Sequence, residues 1–250
     1  MVIFYFLVLK PEKYAVEDLY ETIINRGTIK VGINLDSKPF GFKDEKGEIK
    51  GYDADLARII AQYILKSPNA VEFIPVTHAN RIIKTSTGEV DIVIATLTIN
   101  PQRLEIINFS VPYDTAGQAI LVPANSKISS MAELSGENVG VIFGTTAEKN
   151  IKNLVPSANI LGFKTYKSAY KALKKGAILA ITSDDTILKR YTLEDDTVKI
   201  LPKRYSKEPY GIGFRKGKGS QRLKEELDFA INDMKQRNVI TRLRKKWELN

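Results

Sequence analysis

Residues 88–113, GEVDIVIATLTINPQRLEIINFSVPY, run from a β-branched segment through a hydroxyl-rich turn into a helix start. DIVIA (91–95) reads as a strand. Asn100 before Pro101 reads as an N-cap with proline at the first helical position. That places Arg103 in the first turn, where the helix dipole already presents positive charge. A cation there is mildly unfavourable, so Arg103 calls for an anionic partner from elsewhere. Thr96 and Thr98 put two hydroxyls on one face of the extended segment before it. Hydroxyls, open backbone amides and a guanidinium beyond the carboxyl end of a strand make an anion site. A carboxylate fits it through two parallel hydrogen bonds to the guanidinium.

Working outward, the same alternation of strand and helix recurs. Upstream lie IKVGI (29–33), a helix over about 54–65 with Leu56, Ile59, Ile60, Tyr63 and Ile64 on one face, VEFIPV (71–76), and a helix over about 80–87. Downstream come VGVIF (139–143), a helix from about 146, ILGF (160–163), a helix over 167–175 closed by Gly176, and ILAIT (178–182). Two βαβ series imply two α/β lobes on largely parallel sheets. Extended runs, GQAILVPANSK (117–127) and EPYGIGF (208–214), separate the series and lead out of the second, so they are expected to cross between lobes. A last helix carries Leu223, Leu227, Ala230, Ile231 and Met234 on one face and returns to the first lobe. The expected division is residues 1–24 as a leader remnant and N-terminal helix, 25–118 with 211–250 as the first lobe, and 119–210 as the second. The ligand cleft then lies between the lobes.

Composition narrows the chemistry. The 250 residues contain no cysteine and one histidine, His78, which excludes disulfides and thiol nucleophiles and all but excludes Cys/His zinc sites and Ser-His-Asp triads. No phosphate-binding or dinucleotide glycine pattern is present, and no cofactor or metal is expected. A net charge of +9 invites a nucleic-acid reading, but lysine and arginine are interspersed with acids along the whole chain. A solvated basic surface is the simpler account, and no nucleic-acid partner is expected. No segment reaches the 18 apolar residues of a membrane span. The apolar start, MVIFYFLVLK, is either a remnant of a signal-peptide core, a mis-set start or a short strand.

The second lobe supplies its own candidates. Gly144-Thr145-Thr146-Ala147-Glu148 follows a strand, and Thr145 with Glu148 has capping-box spacing. Ser183-Asp184-Asp185-Thr186 follows another; one aspartate can cap the next helix, leaving the other to face the cleft. An anion site on one lobe opposite an aspartate on the other suits a zwitterion, with carboxylate to Arg103 and ammonium to Asp184. That describes an α-amino acid. Tyr52, in GYDADL, is expected either as a platform over the ligand or as a half-buried tyrosine.

Five segments together, GTIKVGINLDSKPFGFKDEKGEIKGYDADLA, GEVDIVIATLTINPQRLEIINFSVPY, GTTAEKNI, ITSDDTIL and EPYGIGFRKG, resemble the solute-binding proteins of polar amino-acid ABC importers, from about residue 21 onward. The resemblance implies a type II periplasmic-binding fold that closes on one amino acid and delivers it to a membrane permease. It implies a protein exported to the periplasm or cell surface, and a monomer. It assigns the α-carboxylate to Arg103 with Thr98 and Thr146, and the α-ammonium to Asp184. VTHANRIIKTSTGEVD and DSKPFGF most resemble glutamate/aspartate and glutamine binders, in which the arginine matching Arg81 reaches the side-chain end of the ligand. Arg81 too sits in a first helical turn, so the same dipole argument applies. Some acidic-residue binders carry a basic residue at the place of Asn34, and many relatives an aromatic at Ser37, which leaves stacking to Tyr52.

The expected ligand is therefore glutamate or aspartate, with glutamine as the alternative and Asn34 then as the amide partner. A second class of function is an enzyme on the same scaffold, since some relatives resemble cyclohexadienyl dehydratases; Asp184 is its one candidate general acid. A third, the sensor module of a receptor, calls for a membrane span and signalling segment that this chain does not carry. The expectation is a binding protein without catalysis.

Overall fold

The computed structural model describes residues 18–249; the apolar run read as a leader remnant lies outside them. Asp18 caps the first helix, Leu19–Arg26, accepting from the backbone N–H of Tyr20 and Glu21, and Gly27 ends it in the left-handed conformation.

Two five-stranded sheets follow the same plan. In the first, the order is Val71–Val76, Ile29–Asn34, Ile92–Val93, Gly213–Arg215, Ile107–Phe109; the first three strands run parallel, and Gly213–Arg215 is antiparallel to both its neighbours. In the second, it is Asn159–Phe163, Asn138–Ile142, Ala180–Asp184, Gln118–Pro123, Val198–Ile200, and Gln118–Pro123 is the antiparallel insert. Each insert is a strand supplied by a chain crossing between lobes. The crossings themselves pair as antiparallel Asp114–Ala116 and Glu208–Tyr210. A short two-stranded ribbon is the most easily twisted form of sheet, which suits a hinge.

The helices form where the apolar period places them. In Tyr52–Leu65, Leu56, Ile60 and Ile64 are buried, and in Gln221–Gln236 the five apolar residues listed above are fully buried against the first lobe. Trp247 Nε1 donates to Asp55 at 2.9 Å, tying the C-terminal turn to that lobe. The boundaries differ from the sequence reading at informative places. Tyr52–Leu65 begins two residues early, because Gly51, at φ 127°, lies so close to the Phe40 carbonyl that any Cβ would be 2.0 Å from it. The strand read as 178–182 is Ala180–Asp184, drawn forward by pairing of Asp184 with Gln118. The capping box at Thr145 is half formed. Thr145 Oγ1 donates to the Ile142 carbonyl at 2.7 Å rather than accepting from the helix, while Glu148 accepts from Gly144 N at 3.2 Å.

The lobes meet along a seam. Asp36 accepts from the backbone N–H of Tyr166 at 2.6 Å, Lys38 pairs with Glu194 at 2.8 Å, and Arg103 Nη2 donates to the Gly144 carbonyl at 3.2 Å. Gly144 lies directly against the backbone of His78 and Ala79. These contacts enclose the candidate site.

Candidate functional site

The enclosed pocket is lined by His78, Arg81, Thr96 and Thr98 from the first lobe and by Thr145, Thr146, Tyr166, Asp184 and Ile187 from the second, and in this closed arrangement the cavity between them is about 10 Å³. Each lining segment follows the carboxyl end of a strand or opens a helix, where backbone amides are unpaired.

Arg81 opens the helix Arg81–Ser86 and is 2% exposed. Its Nη1 donates to the carbonyls of Ala95 and Thr96, the latter at 3.2 Å, while its buried Nε has no partner. Burial pulls its pKa down, with Tyr166 and Asp184 nearby acting to hold the charge. Arg103 is positioned by the predicted cap: Asn100 Oδ1 accepts from Arg103 N at 2.9 Å. It does not line the pocket. Its Nη1 donates to the carbonyl of Thr98, which does, at 2.8 Å, and Nη2 reaches Gly144 across the seam. Burial, then the Arg81 charge, pull its pKa down to about 9. Guanidinium keeps its proton in proteins at neutral pH, so Arg103 is a buried cation.

Asp184 is the opposing charge. Of the two successive aspartates, Asp185 is spent: it accepts from Gly117 N at 3.0 Å and Thr186 N at 2.8 Å, and pairs with Arg204 at 2.7 Å. Asp184 makes no cap bond and lines the pocket, with the Tyr210 hydroxyl donating to it. Burial pushes its carboxyl up to about 7 against the lowering effect of that hydroxyl. One buried guanidinium, Arg81, and one buried carboxylate, Asp184, therefore line the pocket from opposite lobes, with buried Arg103 behind Thr98.

Thr96, Thr98 and Thr146 lie where the sequence suggested. Thr96 has φ 48°, a left-handed conformation unusual for a β-branched residue, and its N–H is held at 3.0 Å by buried Asp53, whose other oxygen accepts from Tyr113. Burial pushes Asp53 to about 7 as well. That brace lies beneath the site and was not visible in the sequence.

Two expectations are corrected. Tyr52 is no platform: it is fully buried in the first lobe, its ring 5.6 Å from Phe40 and 6.1 Å from Tyr113, away from the pocket lining. The tight Gly51 turn against Phe40 directs it inward. Asn34 is no direct partner either, since it does not line the pocket and its Oδ1 accepts from Asp36 N at 2.8 Å and from Ser37 Oγ at 3.2 Å. The residues the sequence reading missed are His78 and Tyr166. His78 stands one helical turn before Arg81, a spacing that could have flagged it; Tyr166 opens a helix 88 residues further on than His78, and only closure brings their rings to 5.5 Å.

This geometry agrees with what the chain is similar to. Residues 29–250 match the model of the bacterial extracellular solute-binding proteins, family 3. The glutamine-binding protein of Geobacillus stearothermophilus is 39% identical over 198 residues, 78% of this chain and 76% of that protein. The ABC transporter glutamine-binding protein GlnH of Bacillus subtilis is 35% identical over 240 residues, 95% and 87% of the two chains. Among solved structures, an ancestral arginine-binding protein bound to glutamine aligns with a TM-score of 0.82 at 36% identity, covering 90% of this chain and 99% of that one. Among the described residues no helix is long and apolar enough to cross a membrane. With a type II two-lobed fold and a pocket at the seam between the lobes, the chain belongs to family 3 of the bacterial extracellular solute-binding proteins, and it binds an amino acid for an ABC importer rather than transforming it.

Proposed function

We propose that the amino acid is glutamine. The carrying observation is that the lining sets a single buried guanidinium, Arg81, already bonded to two backbone carbonyls, opposite the single carboxylate of Asp184, taken together with the two glutamine-binding relatives. In this reading the α-carboxylate pairs with Arg103, replacing the seam bond to the Gly144 carbonyl, and takes the Thr98 hydroxyl and the amide end at Thr146. The α-ammonium lies on Asp184. The side chain runs to Arg81, whose Nη1 is already committed to two carbonyls and whose remaining edge donates to a neutral oxygen. The glutamate or aspartate expectation gives way to glutamine because the relatives favour it, and because the side-chain end offers an acceptor as well as donors.

Calorimetry against the twenty amino acids tests this. Glutamine is expected to bind tightest. A protein that bound glutamate or aspartate at least tenfold more tightly than glutamine would refute the assignment.

A further inference from the structure

Two polar atoms at the side-chain end of the pocket are buried without partners: Nε of Arg81 and Nδ1 of His78. Nε is a fixed donor. The character of Nδ1 follows from a chain of hydrogen bonds. Asp36 N–H donates to the side chain of Asn34 at 2.8 Å, which fixes the receiving atom as the amide oxygen. That oxygen has no proton, so the 3.2 Å contact with Ser37 Oγ consumes the single Ser37 hydrogen. Ser37 Oγ then has only lone pairs to offer His78 Nε2, 3.2 Å away, and Nε2 must carry the imidazole proton. His78 is 4% exposed, and burial followed by the Arg81 and Arg103 charges hold its pKa well below the usual value. The ring is neutral and Nδ1 is a bare acceptor.

We infer that His78, locked as its Nε2–H tautomer by Ser37 and Asn34, reads the side-chain amide of the ligand: Nδ1 accepts from the amide NH₂ while Arg81 Nε donates to the amide oxygen. The inference rests on the glutamine reading and deepens it. A carboxamide satisfies both orphan atoms. A carboxylate satisfies only the arginine and turns an oxygen lone pair toward the Nδ1 lone pair. Discrimination against glutamate therefore comes from a built-in repulsion as well as from a bond. Tyr166, edge-on to the imidazole at 5.5 Å, fixes its plane from the second lobe. Asn34 and Ser37, neither of them lining the pocket, act as positioning residues for the tautomer.

His78 is the only histidine in the chain, so nitrogen NMR of ¹⁵N-histidine-labelled protein reports one ring. The glutamine complex is expected to show protonated Nε2 and an unprotonated, hydrogen-bonded Nδ1. A protonated Nδ1, or an imidazolium, would overturn the inference. In parallel, glutamine and glutamate affinities are measured by calorimetry. Ser37→Ala frees the ring to carry its proton on Nδ1, and the glutamine-to-glutamate preference is expected to fall about tenfold. His78→Leu removes the acceptor and its lone pair and is expected to weaken glutamine about ten- to a hundredfold, with glutamate unweakened or bound more tightly. If the leucine variant does not fold, Ser37→Ala and the NMR spectrum decide. Wild-type protein that prefers glutamine, with a ratio unchanged in Ser37→Ala, overturns the role of His78 alone. Wild-type protein that prefers glutamate overturns the ligand assignment, and the inference with it.

Discussion

Gly144→Ala separates folding from closure. Gly144 has φ 78°, so alanine there carries left-handed strain of about 1 kcal/mol or more, in the open and closed states alike. The steric cost is different, because it arises only when the lobes meet. A Cβ on Gly144 would lie 2.6 Å from the His78 carbonyl oxygen and 2.8 Å from Ala79 Cα, both backbone atoms that cannot swing aside. The seam must part by several tenths of an ångström, which loosens the packing on both sides of it. Overpacking of this kind costs about 1–3 kcal/mol, or roughly five- to 150-fold in dissociation constant. Calorimetry is expected to show glutamine and glutamate weakened by the same factor, because the clash lies at the seam. Urea unfolding of the ligand-free variant is expected to report only the backbone strain. Affinity within threefold of wild type, or a loss confined to one ligand, would refute the view that Gly144 is a closure contact.

Arg103→Ala removes the proposed carboxylate partner; truncating one side of a buried charge pair costs about 2–5 kcal/mol, so glutamine binding is expected to weaken about 30-fold to several thousand-fold by calorimetry. Asp36→Ala removes a carboxylate that caps the helix Tyr166–Lys174 from the other lobe at 2.6 Å; at about 0.5–2 kcal/mol for a cap, all ligands are expected to weaken about two- to 30-fold, seen mainly as faster release in stopped-flow fluorescence. Binding is expected to weaken as pH falls. Burial pushes the Asp184 carboxyl up to about 7 in the closed, ligand-free structure, an ammonium ligand favours its ionised form, and filling that closed site therefore releases a proton below that value. Dissociation constants measured from pH 8 to 5.5 are expected to rise, and Asp184→Asn to abolish that slope while weakening all amino acids.

Local sequence carried the strand and helix alternation, the Asn100 cap that positions Arg103, and the threonines after Ala95. Each of these depends on a few neighbouring residues: apolar period, backbone φ, and one side chain bonding three residues ahead. The two-lobe plan was legible for the same reason, since each βαβ series announces its own sheet. Long-range packing decided the rest. Whether Tyr52 faced the ligand or the core depended on the Phe40 carbonyl pressed against Gly51, a contact that no window around GYDADL contains. Which of Asp184 and Asp185 was free depended on Gly117, 68 residues earlier, and on Arg204 from the loop after Val198–Ile200. The character of His78 depended on Ser37, 41 residues earlier, and its surroundings on Tyr166 from the other lobe. A side chain's local pattern states what it is able to donate or accept; only the closed tertiary structure states which of those bonds are already made, and the orphan atoms that remain define the ligand.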